Sequence, residues 1–283
     1  MENVDNLKER LDALRPLSRE NVDRLWPMWE NDDVLHVYAT NAIEGSSMDL
    51  GETLAVLTDG ITIGGKKLSE YFDIVHGQRA YKLMLKLAKD QARVTTTVIR
   101  GLHRVVVGSD EDFAGQWRDH PVYISGSLHV PPNYIKVPDL MDEMIAAYDT
   151  SKTTDHPVVT AAKLHFNLVR VHPFADGNGR TARLLGNLEL IRMGFAPILI
   201  EKEDRKTYFN ILERCCMGGE PGKGDPTEFV AFVERFEEKA LDRYLRALEV
   251  SHGIPFDQGS RQVNRTPSGE PSEDGSTKLR IKL

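Results

Sequence analysis

The chain has 283 residues, 40% of them hydrophobic and 28% charged, which is ordinary globular usage and excludes wholesale disorder, collagen and fibrous coiled coils. A formal net charge of -7 offers no general basic footprint, and no run approaches the roughly 20 apolar residues that span a bilayer, so neither a nucleic-acid nor a membrane partner is expected. The two cysteines, Cys215 and Cys216, are adjacent and cannot staple a secreted scaffold, and the charged N-terminus has no signal-peptide core; together they predict a reduced, cytoplasmic protein.

Helical periodicity dominates from the start. Leu7, Leu11 and Leu14 mark a first helix inside an N-terminal extension, 1–32. A second apolar face runs from Val34 through Val37 and Tyr38 to Ile43, with Gly45 as its stop. Asp49 can cap a short helix that ends before Gly60, and Leu68, Phe72, Val75, Ala80, Leu83 and Leu87 trace a long one. Thr96 or Thr97 opens the next, carrying Val98, Leu102 and Val106. Residues 116–136 differ: Val122 and Ile124 alternate with Tyr123 and Ser125, and Ser125-Gly126 is a turn signal, which predicts a small β-hairpin among helices. Two strongly apolar helices follow at 157–171 and 180–193, then two more at Tyr208–Leu212 and Phe229–Leu248. Beyond them Gly, Ser and Pro accumulate, which predicts a disordered tail over 249–283. Its closing KLRIKL could pair as an edge strand or touch a partner, and a solvated terminus is the plainer reading. The fold class is all-α with one small hairpin.

The informative segment is the glycine-rich break between the two apolar helices, VHPFADGNGRTAR at 171–183. Gly177 and Gly179 let backbone N–H groups converge without Cβ interference, and such a nest at a helix N-terminus binds anions. Arg180 and Arg183 lie three apart on one helix face and can grip phosphate oxygens. Asp176 supplies a hard carboxylate oxygen of the kind that holds Mg²⁺ together with substrate phosphates. His172 can act as a base near neutral pH. Taken singly, each has a plain alternative: a turn, a structural histidine, a solvated arginine face, a helix cap. Gathered within twelve residues, they suit transfer of a phosphorus-containing group from a nucleotide. The segment lacks a Walker A ending and follows a helix, so it is neither a P-loop nor a dinucleotide fingerprint.

HPFADGNGRTAR resembles the signature of the Fic (filamentation induced by cAMP) family, His-x-Phe-x-Asp/Glu-Gly-Asn-Gly-Arg-x-x-Arg, at every specified position. Eight fixed positions meet by chance on the order of 10⁻¹⁰ per starting point. The likeness extends over roughly 33–248, with the expected hairpin where that family carries its flap. It implies Mg²⁺-dependent transfer of AMP from ATP to a Ser, Thr or Tyr hydroxyl of a target protein, with release of pyrophosphate. His172 would take the proton of the attacking hydroxyl, and Asp176 would hold Mg²⁺. Backbone N–H groups of Gly177, Asn178 and Gly179, with the Asn178 side chain, would form an anion hole. Arg180 would bind phosphate oxygens, Arg183 would orient the γ-phosphate, and Phe174 would anchor the loop in the core. Tyr208 resembles a position lining the adenine pocket, although a core tyrosine fits as well. Tyr123, Ile124, Ser125 and Gly126 of the flap would dock an extended target segment. His103 and His165, on apolar helix faces, read as structural.

Upstream, Thr40-Asn41-Ala42-Ile43-Glu44-Gly45 is a helix end, where a carboxylate opposes the macrodipole and asks for a cationic partner. It is similar to the family's inhibitory motif, Ser/Thr-x-x-x-Glu-Gly/Asn, which implies an inhibitory helix at about 33–45. Its Glu44 would pair with Arg183 and displace the γ-phosphate. In some relatives the same glutamate helps water remove AMP. Homodimers recur in the family. Two rivals stand beside autoinhibited AMP transfer: the same fold moving another phosphate-containing group, and a nucleotide-sensing module that never turns over. Gly179 favours AMP over phosphate transfer, and His172 with Asp176 argues for catalysis. The chain after Leu248 is too short and polar for a winged-helix domain, so DNA binding through one is not expected.

Overall fold

The computed structural model describes residues 1–15, 19–220 and 222–251, and they form helices and connecting loops. In chain order these are α1 Glu2–Ala13, α2 Arg19–Glu44, α3 Leu50–Asp59, α4 Leu68–Lys89 and α5 Thr96–Val107. Then come α6 Val137–Thr154, α7 Pro157–Val171, α8 Asn178–Arg192, α9 Arg205–Met217 and α10 Thr227–Ser251. Single turns of 3-10 helix precede α6 and α9.

Helices α7 and α8 are the axis. Both are buried along most of their length, α7 through mainly apolar side chains and α8 through Leu185, Leu188 and Leu190 together with polar groups such as Asn178, Arg183 and Asn187 that find partners inside. α7 opens on Pro157, whose missing N–H costs nothing there, with the His156 ring nitrogen accepting from the Val158 N–H at 3.2 Å. One side of α7, with Ala161, Ala162 and Phe166, joins a core shared with Tyr208 of α9 and Phe229, Phe232 and Phe236 of α10. Its other side, with Leu164, Leu168 and Val171, joins a second core with Met84, Ile99, Leu102, Met141 and Met144 from α4, α5 and α6. A smaller third cluster, Val37, Met48, Val56 and Ile74, seats α2 and α3 on α4. Enclosing an aromatic such as Phe166 or Phe229 stabilises the fold by roughly 2–3 kcal/mol each, so truncation at this axis is costly.

Local signals set most helix ends. Asp49 accepts from the Glu52 N–H while the Glu52 side chain accepts from the Asp49 N–H, both at 2.8 Å, and α3 ends at Gly60 with φ 64°. Thr95, one residue before the expected start, caps α5. α2 begins at Arg19 and runs unbroken to Glu44, so the border expected at 32/33 falls inside one helix. α6 was not expected. Its inner positions Val137, Met141, Met144, Tyr148 and Ser151 have helical spacing, but methionine, tyrosine and serine among many acids mute the hydrophobic signal.

The expected hairpin at 116–136 is corrected: no strand forms there. The turn exists, with the Ser127 N–H on the Ile124 carbonyl at 3.1 Å and Gly126 at φ 78°. Its flanks build no ladder. Pro121, Pro131 and Pro132 lack donors, and side chains take the segment's backbone groups instead: Arg118 and Ser127 from within it and Glu213 from α9. The expected tail and its KLRIKL end lie outside the described residues past Ser251. Among the described residues no helix is long and apolar enough to cross a membrane.

Burial lowers the pKa of His36, His103 and His172 to about 4 and of His165 to about 3. In the unfolded chain each takes a proton near pH 6.5, so the native state loses stability as pH falls from there towards 4. Glu237, which burial pushes up to about 8, acts in the opposite sense, one group against four. Calorimetry is expected to show Tm lower at pH 5 than at pH 7 by on the order of 10 °C. A Tm that holds or rises over that interval contradicts this account.

Candidate active site

The link from α7 to α8 occupies 172–177, and its shape is fixed from three directions. His172 ends α7 in the left-handed region at φ 52°, a conformation that costs a non-glycine residue of order 1 kcal/mol and persists only when over-determined. Its N–H stays on the Leu168 carbonyl at 2.9 Å, and its own carbonyl accepts from Arg118 Nε at 2.8 Å. Phe174 is fully buried and stacks on His103 at 3.6 Å between centroids. His103 Nδ1 accepts from the Gly115 N–H at 2.9 Å, so the ring hydrogen sits on Nε2 and is donated to the Asp176 carbonyl at 2.9 Å. Gly177 has φ 74°, and a Cβ there would stand 2.8 Å from Val107 Cγ1, so both conformation and space require glycine.

Asn178 closes the turn. Its Oδ1 accepts from the Phe174 N–H and its Nδ2 donates to the Phe174 carbonyl, each at 2.9 Å. The side chain is buried and holds the loop's own backbone. The Gly177 N–H is also taken, by Asp176 Oδ1 at 2.6 Å. That leaves the backbone N–H groups of Asn178, Gly179 and Arg180, the first turn of α8, which have no intrahelical acceptor. Gly177 caps the helix without a side chain, so these amides and the helix dipole face outward as an anion site.

Charged groups ring that helix end. Asp176 is 71% exposed, and its Oδ2 accepts from Arg180 Nη2 at 3.1 Å. Arg180 also pairs through Nη1 with Asp73 of α4. Arg183 has a side chain only 8% exposed. Its Nη2 donates to Glu44 Oε1 at 2.5 Å, its Nε to Thr40 Oγ1 at 2.7 Å and its Nη1 to the Tyr208 hydroxyl at 3.4 Å. Burial works against the Arg183 charge, but the Glu44 carboxylate and the Tyr208 hydroxyl outweigh it and raise the pKa. Glu44 Oε1 lies over the first turn of α8: a methyl on Gly179 would stand 2.7 Å from it.

His172 carries the chemistry-capable lone pair. A carbonyl can only accept, so the Nδ1 contact of 3.4 Å to the Val169 carbonyl places the ring hydrogen on Nδ1 and leaves Nε2 unprotonated. Burial, with Arg118 and His129 nearby, keeps the ring neutral at pH 7. Arg118 holds three carbonyls: besides His172, Nη2 donates to Pro132 at 2.5 Å and Nη1 to His120 at 3.2 Å. It therefore ties the 116–136 segment to the 172–177 turn. Glu213 accepts from the Leu128 N–H at 2.9 Å, fixing the far side. Tyr123 stands 84% exposed at the tip, with Ser125 and Gly126 exposed and Ile124 half-buried beside it.

The loop residues, Arg180, Arg183 and Glu44 thus converge on one helix end. Tyr208 is placed in the core: it is enclosed among Phe229, Phe232 and His165, whose Nε2 lies 3.0 Å from its hydroxyl, and it buttresses Arg183. Asp73, Arg118 and the loop-holding role of His103 escaped sequence reasoning. Asp73 looks like one more charge on a helix face, and Arg118 sits in a segment without periodicity. His103 was legible as buried, but its partners at 115 and 176 are set by tertiary packing.

The Fic/DOC family profile matches residues 93–190. Protein adenylyltransferase fic-1 of Caenorhabditis elegans is 36% identical over 234 residues, which are 81% of this chain and 44% of that protein. Protein adenylyltransferase Fic of Aedes aegypti is 34% identical over 256 residues, 89% of this chain and 50% of that protein. The chain therefore spans about half the length of the curated relatives it matches. Among solved structures, a Fic-domain-containing signaling protein from Bacteroides thetaiotaomicron superposes with a TM-score of 0.78 at 29% identity, covering 90% of this chain and 100% of that one. Fic-1 from C. elegans superposes with a TM-score of 0.72 at 30% identity, covering 88% and 73%.

Asn178→Ala removes two buried hydrogen bonds and strands the Phe174 amide groups, so it is expected to destabilise the unliganded protein by about 2–3 kcal/mol in a denaturant titration. Unchanged stability would assign Asn178 to ligand contact instead.

Proposed function

The chain belongs to the Fic/DOC family, and we propose that it is a protein adenylyltransferase held in check by Glu44. The reading is supported by the names of its relatives and by the convergence of a neutral base, an open helix N-terminus and two arginines. In the reaction, the oxygen of a target Ser, Thr or Tyr hydroxyl bonds to the α-phosphorus of ATP. The bond from that phosphorus to the bridging oxygen breaks, pyrophosphate leaves, and the hydroxyl proton passes to His172 Nε2. The ring is neutral well below pH 7, so it is ready as acceptor without prior deprotonation. The free amides of Asn178, Gly179 and Arg180 suit phosphate oxygens, and Arg180, fixed between Asp73 and Asp176, neutralises charge from the side.

Asp176, 71% exposed beside the anion site, fits a cation that arrives with a nucleotide and takes its other ligands from phosphate and water. Asp176 would hold Mg²⁺, which would offset charge on the phosphates. Asp176 must then give up part of its contact with Arg180, leaving that guanidinium to the nucleotide.

The observation that carries the brake is the Glu44 carboxylate 2.5 Å from Arg183 and above Gly179. It sits where an anionic phosphate would go, and it occupies the arginine that would bind one. Two anions cannot share that space without strong repulsion. ATP either displaces Glu44 or binds with its terminal phosphate misplaced, and in-line attack depends on that placement.

Purified protein with Mg²⁺ and ATP labelled at the α-phosphate tests the reading. Glu44→Gly is expected to raise label transfer to protein about ten-fold or more over wild type, and Glu44→Gly/His172→Ala to abolish it. A Glu44→Gly protein that binds ATP and transfers no label sinks the adenylyltransferase reading.

A further inference from the structure

The Glu44–Arg183 pair is held from outside by one turn of α9. Arg205 and Tyr208 lie three residues apart and so share a helix face. The Tyr208 hydroxyl reaches Arg183, while Arg205 Nε donates to the Ile43 carbonyl at 2.5 Å. That carbonyl belongs to the same peptide group as the Glu44 N–H, so whatever orients it orients the backbone that carries Glu44. The helix cannot satisfy it alone. At the end of α2 the Gly45 N–H turns back to the Ala42 carbonyl at 3.1 Å and the Ser46 N–H to the Asn41 carbonyl at 2.9 Å. The Ile43 carbonyl is left over, and Arg205 comes 162 positions along the chain to meet it. The guanidinium is steadied over the Phe209 ring at 5.1 Å. It also places positive charge at a helix C-terminus where Glu44 alone would be unfavourable.

We propose that Arg205 is a positioning residue for the brake: by fixing the Ile43–Glu44 peptide plane it aims the Glu44 carboxylate at Arg183. The inference rests on the adenylyltransferase reading for its activity consequence and on geometry for the rest. Without Arg205 the last turn of α2 frays, Glu44 samples other directions, and Arg183 becomes available to a phosphate. Arg205 touches none of the reacting atoms, so its effect must act through Glu44. Lysine can donate to the same carbonyl and preserves the charge, so it restores much of the effect, whereas alanine cannot.

The test compares wild type, Arg205→Ala, Arg205→Lys, Glu44→Gly and Glu44→Gly/Arg205→Ala in two measurements: label transfer from α-labelled ATP, and amide hydrogen exchange across 43–46. Loss of one such hydrogen bond predicts about a five-fold rise in transfer for Arg205→Ala. Arg205→Lys is expected close to wild type, and the double variant equal to Glu44→Gly. Exchange across 43–46 is expected to quicken in Arg205→Ala and to return towards wild type in Arg205→Lys. A wild-type rate in Arg205→Ala, or an equal rise on the Glu44→Gly background, overturns the proposal. If Glu44→Gly itself transfers no label, the activity reading has failed, and exchange alone decides: quickening in Arg205→Ala with rescue by lysine supports the positioning role, and unchanged exchange overturns it.

Discussion

A guanidinium shut away from water must have an anion, and Arg183 is such a group. Its side chain enters from the second turn of α8, between α2 and α9, where solvent cannot screen it. The fold meets the demand with Glu44 and adds the Thr40 hydroxyl and the Tyr208 hydroxyl as further acceptors. Any nucleotide that uses this arginine must offer a better anion than the one already there. Because α2 supplies both Thr40 and Glu44, the seating of one helix decides which partners the N-terminal end of another finds. The third small core of Val37, Met48, Val56 and Ile74 is what seats it.

The turn at 172–177 follows a different rule. Its polar groups are mostly satisfied within the protein before any ligand arrives: the Asn178 amide on Phe174, the His103 ring between Gly115 and Asp176, the Arg118 guanidinium on three carbonyls. What remains open is the first-turn N–H row of α8 and the Nε2 lone pair of His172. Preorganisation of this kind removes the cost of assembling the site during the reaction, and it is why a left-handed histidine is tolerated at the end of α7.

Much of this was legible in the residues because it depends on local chemistry. Helix caps at Asp49 and the stop at Gly60 are written in neighbouring positions, and the glycines of the signature announce a backbone that must approach something closely. Glu44 at a helix C-terminus signalled a missing cation. The failures share a cause as well. Residues 116–136 carry β-forming side chains, yet three prolines and the carbonyl-binding Arg118 decide their conformation, and that arginine's partners at 120, 132 and 172 cannot be inferred from spacing. α6 hid behind a polar-looking inner face. Asp73 was invisible because its partner Arg180 lies 107 positions away. The bonds of the Asn178 side chain to Phe174 were not legible, since a side-chain amide in a tight loop serves the loop's own backbone and spacing does not announce it.

Arg118 has a mechanical consequence. One rigid, planar group grips Pro132 and His120 on the exposed segment and His172 in the turn between α7 and α8. Its fork has no slack to let one side move without the other. The surface that would meet a protein and the ring that would take its proton are therefore parts of one lever, with the guanidinium as fulcrum. If a target presses on the outer segment, the aim of the ring would change with it, and discrimination among targets would register in turnover as well as in affinity.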